Sequence, residues 1–109
     1  MVSFKVHFSD KALEQVESYV SYVFNDLRSP QAAKAIWEDA MITSNQLESS
    51  AELHRLCENE CLRELGYRLI HFRAHRYLYV YRIIGDTAYI EAAYHELQDY
   101  ENLFESSLE

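Results

Sequence analysis

The clearest structural signal in the sequence is YLYVYRIIGDTAYIEAAY, which runs from Tyr77 to Tyr94 and has the pattern of a β-hairpin. Its first half alternates tyrosine with other side chains, as a half-buried strand does. Gly85-Asp86 is a two-residue hairpin signal. We therefore predict two strands joined by a tight turn, one at 77–84 and one from Thr87 to Tyr94. The second strand places three apolar residues on one predicted face: Ala88, Ile90 and Ala92.

Two flanking segments extend this hairpin. Residues 67–72 are rich in aromatic and branched side chains and predict a third strand, so that the three strands form an antiparallel meander. Residues 98–104 predict a final helical turn, with Leu103 and Phe104 docking it on the rest of the domain.

The N-terminal half predicts a strand followed by a helical hairpin. Residues 2–8 alternate apolar and polar side chains. From Asp10 the apolar residues recur at spacings of three and four, which indicates an amphipathic helix of about 18 residues. Ser29-Pro30 ends that helix and begins a second one, whose apolar face continues to Leu47. Two helices joined by so short a break should lie antiparallel.

The segment 48–66 is less regular. Residues 48–50 read as a loop, and Cys57 and Cys61 are spaced as in one helical turn. The whole pattern predicts a single α+β domain over 1–109, in the order β-α-α-β-β-β, with the helical hairpin on one face of the sheet. The pattern leaves the place of the first strand in the sheet open.

The composition is typical of a folded cytosolic domain. The chain has 109 residues, 49% hydrophobic and 14% aromatic, with two glycines and one proline. This is enough apolar surface for one core. It contains no run of about 18 apolar residues, and its first residues lack a signal-peptide pattern. The two cysteines form no disulfide framework. We expect a cytoplasmic location and no membrane partner.

Several chemistries find no support in the sequence. Two glycines, at 66 and 85, cannot form a nucleotide-binding loop. His71 and His75 have a spacing that would suit a metal on a helix, but the segment reads as a strand end and a turn. Cys57 fits a buried thiol better than a nucleophile. We therefore predict neither a metal nor another cofactor.

The net charge of −8 is unevenly distributed. Residues 62–86 contain five arginines and two acidic residues, whereas the remaining 84 residues contain five basic and 16 acidic side chains. Seven of the nine tyrosines lie between 67 and 100. Arginine and aromatic side chains on a sheet are what single-stranded nucleic acid needs for phosphate pairing and base stacking. Both residue types are also ordinary in strands.

Four stretches resemble the RelE/ParE toxin superfamily of bacterial type II toxin–antitoxin systems, whose members are also called plasmid stabilisation proteins. They are VSFKVHFSDKALEQVESYV (2–20), SPQAAKAI (29–36), LRELGYRLI (62–70) and YLYVYRIIGDTAYIEAAYHELQDYENLF (77–104). The resemblance covers nearly the whole chain in order. It implies a helical hairpin packed against a twisted antiparallel sheet.

The resemblance also implies a site. Arg68 matches the arginine of the family's "GYR" segment, and Arg82 matches the "YR" of the penultimate strand. Tyr94 and His95 match the strand-end position from which RelE-like nucleases often draw a catalytic group. These four residues are therefore the expected catalytic groups. Four more are expected to bind RNA or another target: Arg63, Arg73, Arg76 and Tyr79.

Three functions stay open. The leading hypothesis is a RelE-like, ribosome-dependent mRNA endonuclease, which the arginines and tyrosines of the sheet favour. The alternative is a ParE-like, non-enzymatic poison of DNA gyrase, favoured by the overall acidity and by Leu97 and Gln98, which stand where the family commonly has an arginine. The third is a non-toxic interaction module. All three predict an antitoxin partner, and the two toxin hypotheses add either the ribosome with mRNA or gyrase.

Overall fold

The computed structural model describes residues 3–108, and in this range it contains four strands and four helices. The strands are β1 (Lys5–Phe8), β2 (Arg68–His71), β3 (Tyr77–Ile84) and β4 (Thr87–His95). The helices are α1 (Asp10–Asn25), α2 (Pro30–Ser50), α3 (Glu60–Glu64) and α4 (Tyr100–Ser107), with a 3-10 turn at Ala51–Leu53. Val2, where the first predicted strand begins, lies outside the described residues. No helix between residues 3 and 108 is long and apolar enough to cross a membrane.

The sheet has the strand order β1-β4-β3-β2. Strands β2, β3 and β4 form the predicted antiparallel meander. β1, whose place the sequence left open, pairs with β4 in parallel, so the sheet as a whole is mixed. Parallel pairing is possible because a long connection through α1 and α2 separates β1 from the meander.

Serine caps define where the two long helices begin. The Ser9 hydroxyl accepts a hydrogen bond from the Ala12 N–H at 3.0 Å, and Ser29 caps α2 with Pro30 in its first turn. α2 continues to Ser50, so the prediction of a loop at 48–50 is wrong. No glycine or proline interrupts the helix there, and the Ser50 hydroxyl donates to the Gln46 carbonyl one turn earlier.

Both faces of the sheet are covered. On the hairpin face, apolar residues of α1 and α2, such as Val16 and Leu47, pack against Tyr81 of β3. On the opposite side, which we call the second face, Leu62 of α3 and Phe104 of α4 pack against the sheet. The predicted helical hairpin on one face is confirmed, and the two short helices supply the other cover.

A β-bulge in β4 sets which side chains lie on each face. Tyr81 pairs with Ile90 and Val80 pairs with Ala92, so Glu91 is an extra residue between the two pairs. Ile90 therefore packs on the hairpin face, whereas Ala92 packs on the second face. The predicted common face for these two residues is wrong, because the extra residue reverses the alternation after position 91.

Helix α4 is anchored by one of the two residues predicted to dock it. Phe104 is 1% exposed and lies edge-on to the Tyr67 ring at 4.8 Å, whereas Leu103 is 45% exposed. We expect Phe104→Ala to lower the free energy of unfolding by about 3 kcal/mol, since it leaves a cavity in the second-face core. Leu103→Ala should change it by less than about 0.5 kcal/mol. Urea unfolding of both variants is the measurement, and equal losses would contradict this packing.

Candidate functional site

Arg82 lies on the second face, where two partners hold it. Its Nε is 3.2 Å from Glu91 Oε2, as an ion pair without the alignment of a hydrogen bond. Its guanidinium lies over the Tyr67 ring, 4.8 Å from the centroid. Glu91 is the residue that the bulge adds to β4. The positive charge of Arg82 is therefore balanced by a carboxylate of the same face.

Arg68 on β2 and Arg63 on α3 both bind backbone carbonyls of the irregular segment after α2. Arg68 donates from a terminal nitrogen to the His54 carbonyl at 2.6 Å. Arg63 donates to the carbonyls of Cys57 and Glu58 at 3.1 and 3.0 Å. Both guanidinium groups therefore support the backbone, and Arg68 lies across from Tyr81 on the hairpin face.

Two tyrosines expected at the site are buried. Tyr79 is fully buried in the hairpin-face core, and its hydroxyl donates to the Ala40 carbonyl at 2.9 Å. Tyr94 is 5% exposed and belongs to the second-face core. Burial raises the pKa of both hydroxyl groups, so both are protonated at neutral pH. Neither ring has a face free to stack on a base.

His95 ends β4 and lies on the side of the sheet opposite to Arg82. Its ring contacts the Tyr77 ring edge-on at 5.1 Å, and its Nδ1 accepts from the Leu97 N–H at 3.0 Å. Tyr77, the strand partner of His95, lies five positions before Arg82 on β3. That is roughly 17 Å along the strand. The structure therefore does not bring His95 and Arg82 together.

What the structure does bring together is the β2–β3 turn and the end of β4. We call this region the turn end; it comprises His71, Arg73, His75, Arg76 and His95. The Glu96 N–H donates to the Arg76 carbonyl at 2.8 Å, which joins the two segments.

The charges of the turn end are partly paired. Glu96 lies 3.5 Å from the His71 ring and 4.0 Å from Arg76 Nε, although the Arg76 side chain is 67% exposed. Arg73 is exposed, and its guanidinium forms no ion pair with any residue between 3 and 108. Arg73 and Arg76 are therefore the arginines of the sheet region that remain most open to a partner.

A buried carboxylate that the sequence did not single out holds this turn. Asp39, on α2, is 5% exposed and accepts hydrogen bonds from the Arg73 N–H at 3.1 Å and the Ala74 N–H at 2.9 Å. His75 Nδ1 lies 2.7 Å from Asp39 Oδ2 and donates to it. The available signal was an aspartate on the otherwise apolar stripe of α2, between Ile36 and Ala40.

Electrostatics favour the charged form of this carboxylate. Burial alone would raise the pKa of Asp39, but the hydrogen bonds from His75 and from the Ala74 and Arg73 amides more than offset it. The pKa of Asp39 therefore lies below its ordinary value. Among the described residues, no group of three or more His, Cys, Asp or Glu side chains is placed to hold a metal ion.

Comparisons with solved structures identify the fold. A chain of the chromosomal ParDE TA system from P. aeruginosa matches with a TM-score of 0.71 and 18% identity, over 85% of this chain and 96% of that one. A chain of the RelBE2 toxin–antitoxin complex from Mycobacterium tuberculosis matches with a TM-score of 0.56 and 20% identity, over 90% and 97%. No family model matches the sequence, and no curated protein matches it. The chain therefore has the RelE/ParE toxin fold, as the sequence resemblance predicted.

The free energy of unfolding distinguishes an arginine that supports the fold from one that is open to solvent. Arg68→Ala should lower the free energy of unfolding by about 1–2 kcal/mol, because the partly buried His54 carbonyl loses its donor. Arg73→Ala should leave it within about 0.5 kcal/mol, since that side chain is exposed. Thermal unfolding by circular dichroism measures both. An Arg73→Ala variant as unstable as Arg68→Ala would contradict the assignment.

Asp39 should make stability depend on pH in the acid range. A carboxyl group whose pKa is lowered on folding stabilises the protein above its unfolded pKa of about 4, and that contribution disappears as the pH falls through the folded value. The difference in unfolding free energy between the wild type and Asp39→Asn should therefore be largest near pH 6 and shrink below pH 4. A difference that is constant from about pH 6 to pH 2 would show that the charge is not responsible.

Proposed function

We propose that this chain is the toxin of a toxin–antitoxin pair and that it acts by binding its target, in the manner of ParE-like gyrase poisons, and not by cleaving RNA. The observation that carries this proposal is the separation of the expected catalytic groups. Arg82 and His95 lie on opposite sides of the sheet, and Arg68 is bound to the His54 carbonyl.

The separation matters because cleavage of a phosphodiester needs its groups within hydrogen-bond reach of one phosphate. Reacting atoms must be positioned about 3 Å apart, and charge stabilisation falls off quickly with misplacement. Two groups roughly 17 Å apart along a strand and on opposite faces cannot serve one phosphate. Glu91 also balances the charge of Arg82, which reduces its pull on an anion.

Target contact is assigned to the turn end. Its two open arginines project from a chain whose net charge is −8. When an acidic protein binds a negatively charged target, electrostatic repulsion disfavours contact through its acidic surfaces. Contact through a locally positive surface is therefore favoured. A gyrase–DNA complex is such a target.

An antitoxin is the expected partner. Both matched structures come from toxin–antitoxin systems, which supports a partner of this class. β1 and β2 are the two edge strands of the sheet, and an extended segment of a partner can add to such an edge by main-chain hydrogen bonds. The segment around Leu56 already bridges Arg68 at the β2 edge, so β1 offers the less covered of the two.

A ribosome-dependent mRNA endonuclease remains the second candidate, and one observation favours it. The turn end places His95 next to the segment that carries Arg76, so an imidazole and an arginine are near each other. A nuclease built on this pair would use neither Arg68 nor Arg82. It would keep His95 from the groups that the family resemblance implies and take its arginine from the turn end.

The decisive experiment measures both activities with the same purified protein. We expect inhibition of gyrase supercoiling and no cleavage of message on translating ribosomes. Arg73→Ala/Arg76→Ala should raise the concentration for half inhibition by roughly tenfold or more, since two charged contacts are lost. Lys5→Ala/Lys34→Ala removes the same charge from exposed positions elsewhere and should leave inhibition unchanged.

Two results would overturn the proposal. Cleavage of message without gyrase inhibition would establish the endonuclease. Absence of both activities, with harmless overexpression of the chain in bacterial cells, would leave the non-toxic interaction module.

A further inference from the structure

The turn between β2 and β3 has no sequence reason to adopt one shape. Residues 72–76 read FRAHR and contain no glycine, proline, asparagine or aspartate, the residues that specify turns. Without such residues, a five-residue connection between two strands is free to take many backbone conformations. Its shape must therefore come from contacts with the rest of the domain.

Asp39 supplies those contacts from a neighbouring helix. Both of its carboxylate oxygens accept from the turn: Oδ1 from the Arg73 N–H, and Oδ2 from the Ala74 N–H and His75 Nδ1. Two consecutive amides and one imidazole thus converge on a carboxylate that is 5% exposed. Charged hydrogen bonds of this kind are about twice as strong as neutral ones.

The two ends of the turn are fixed separately. At its start, Phe72 is buried, and its N–H donates to the Tyr77 carbonyl at 2.9 Å. At its end, the Arg76 carbonyl accepts from the Glu96 N–H. Asp39 therefore acts on the middle of the turn, between two anchored ends, where the backbone of Arg73 is set.

We infer that Asp39 is a positioning residue, which fixes the backbone of the β2–β3 turn so that Arg73 and Arg76 project together toward the target. The inference rests on the proposed role of the turn end and extends it to a residue on α2 that cannot touch the target. Holding the two arginines in place before binding lowers the ordering cost of the complex. A flexible turn would carry the same charges but bind more weakly.

The test compares Asp39→Asn with Glu48→Gln, the same chemical change at an exposed position of α2 that does not line the depression beside the turn. Amide hydrogen exchange reports the turn directly. In Asp39→Asn we expect the Arg73 and Ala74 amides to exchange about tenfold faster or more, and the 15N shifts of the His75 ring to change. Gyrase inhibition should weaken, but by less than in Arg73→Ala/Arg76→Ala, because both charges remain. Glu48→Gln should match the wild type in all three measurements.

A second variant guards against loss of the fold. If Asp39→Asn does not fold, His75→Ala removes one of the three donors that the turn supplies to Asp39 and should show smaller changes in the same direction. A folded Asp39→Asn or His75→Ala variant with unchanged exchange of the two amides would overturn the inference.

The outcomes also separate this inference from the proposed function. If Arg73→Ala/Arg76→Ala loses inhibition and a folded Asp39→Asn variant with a mobile turn keeps it, the positioning role is wrong and the contact surface stands. If Arg73→Ala/Arg76→Ala keeps full inhibition, the proposed contact surface is wrong, and the positioning role toward a target falls with it.

Discussion

One extra residue in β4 determines how this domain presents its chemistry. The bulge at Glu91 reverses the alternation of side chains along the strand, so the residues before and after it exchange faces. Without it, His95 would lie on the second face with Arg82. With it, His95 contacts Tyr77 on the other side, while Glu91 itself pairs with Arg82. A change of one position in register thus puts His95 and Arg82 on opposite faces, in addition to their distance along the strand.

Most of the other polar side chains of the sheet region have partners within the fold. Most arginines of segment 62–86 are engaged in the fold: Arg63 and Arg68 bind backbone carbonyls, and Arg82 pairs with a carboxylate. Tyr79 and Tyr81 fill the hairpin-face core and donate to main-chain oxygens. The turn end stays open, and α2 reaches it through Asp39. Three of the five arginines in 62–86 therefore stabilise the fold, and two, Arg73 and Arg76, stay open to a partner.

Periodicity was sufficient to predict the strands and the two long helices, but it did not predict helix α3, the end of α2 or the faces of the sheet. The helical hairpin and the antiparallel meander follow from spacing, caps and the Gly85-Asp86 turn, and all of them are present. The parallel pairing of β1 and the bulge at Glu91 are set by tertiary packing, which no local pattern encodes. The role of Asp39 is not encoded locally either, because its partners in the turn lie 34 to 36 positions away in sequence. The charge of segment 62–86 identified a basic region, but the partners of each arginine depend on the tertiary structure.

Mapping the target contacts on the chain distinguishes binding through the turn end from binding through the second face. Hydrogen exchange of the isotopically labelled protein, with and without a gyrase–DNA complex, would report which amides become protected on binding. If the turn end binds the target, the amides of 72–76 and of the residues just after His95 become protected. The amides of Arg82 and of its strand partner Tyr89, on the second face, change little. Protection centred on Arg82 and Tyr89, with the turn end unchanged, would contradict binding through the turn end.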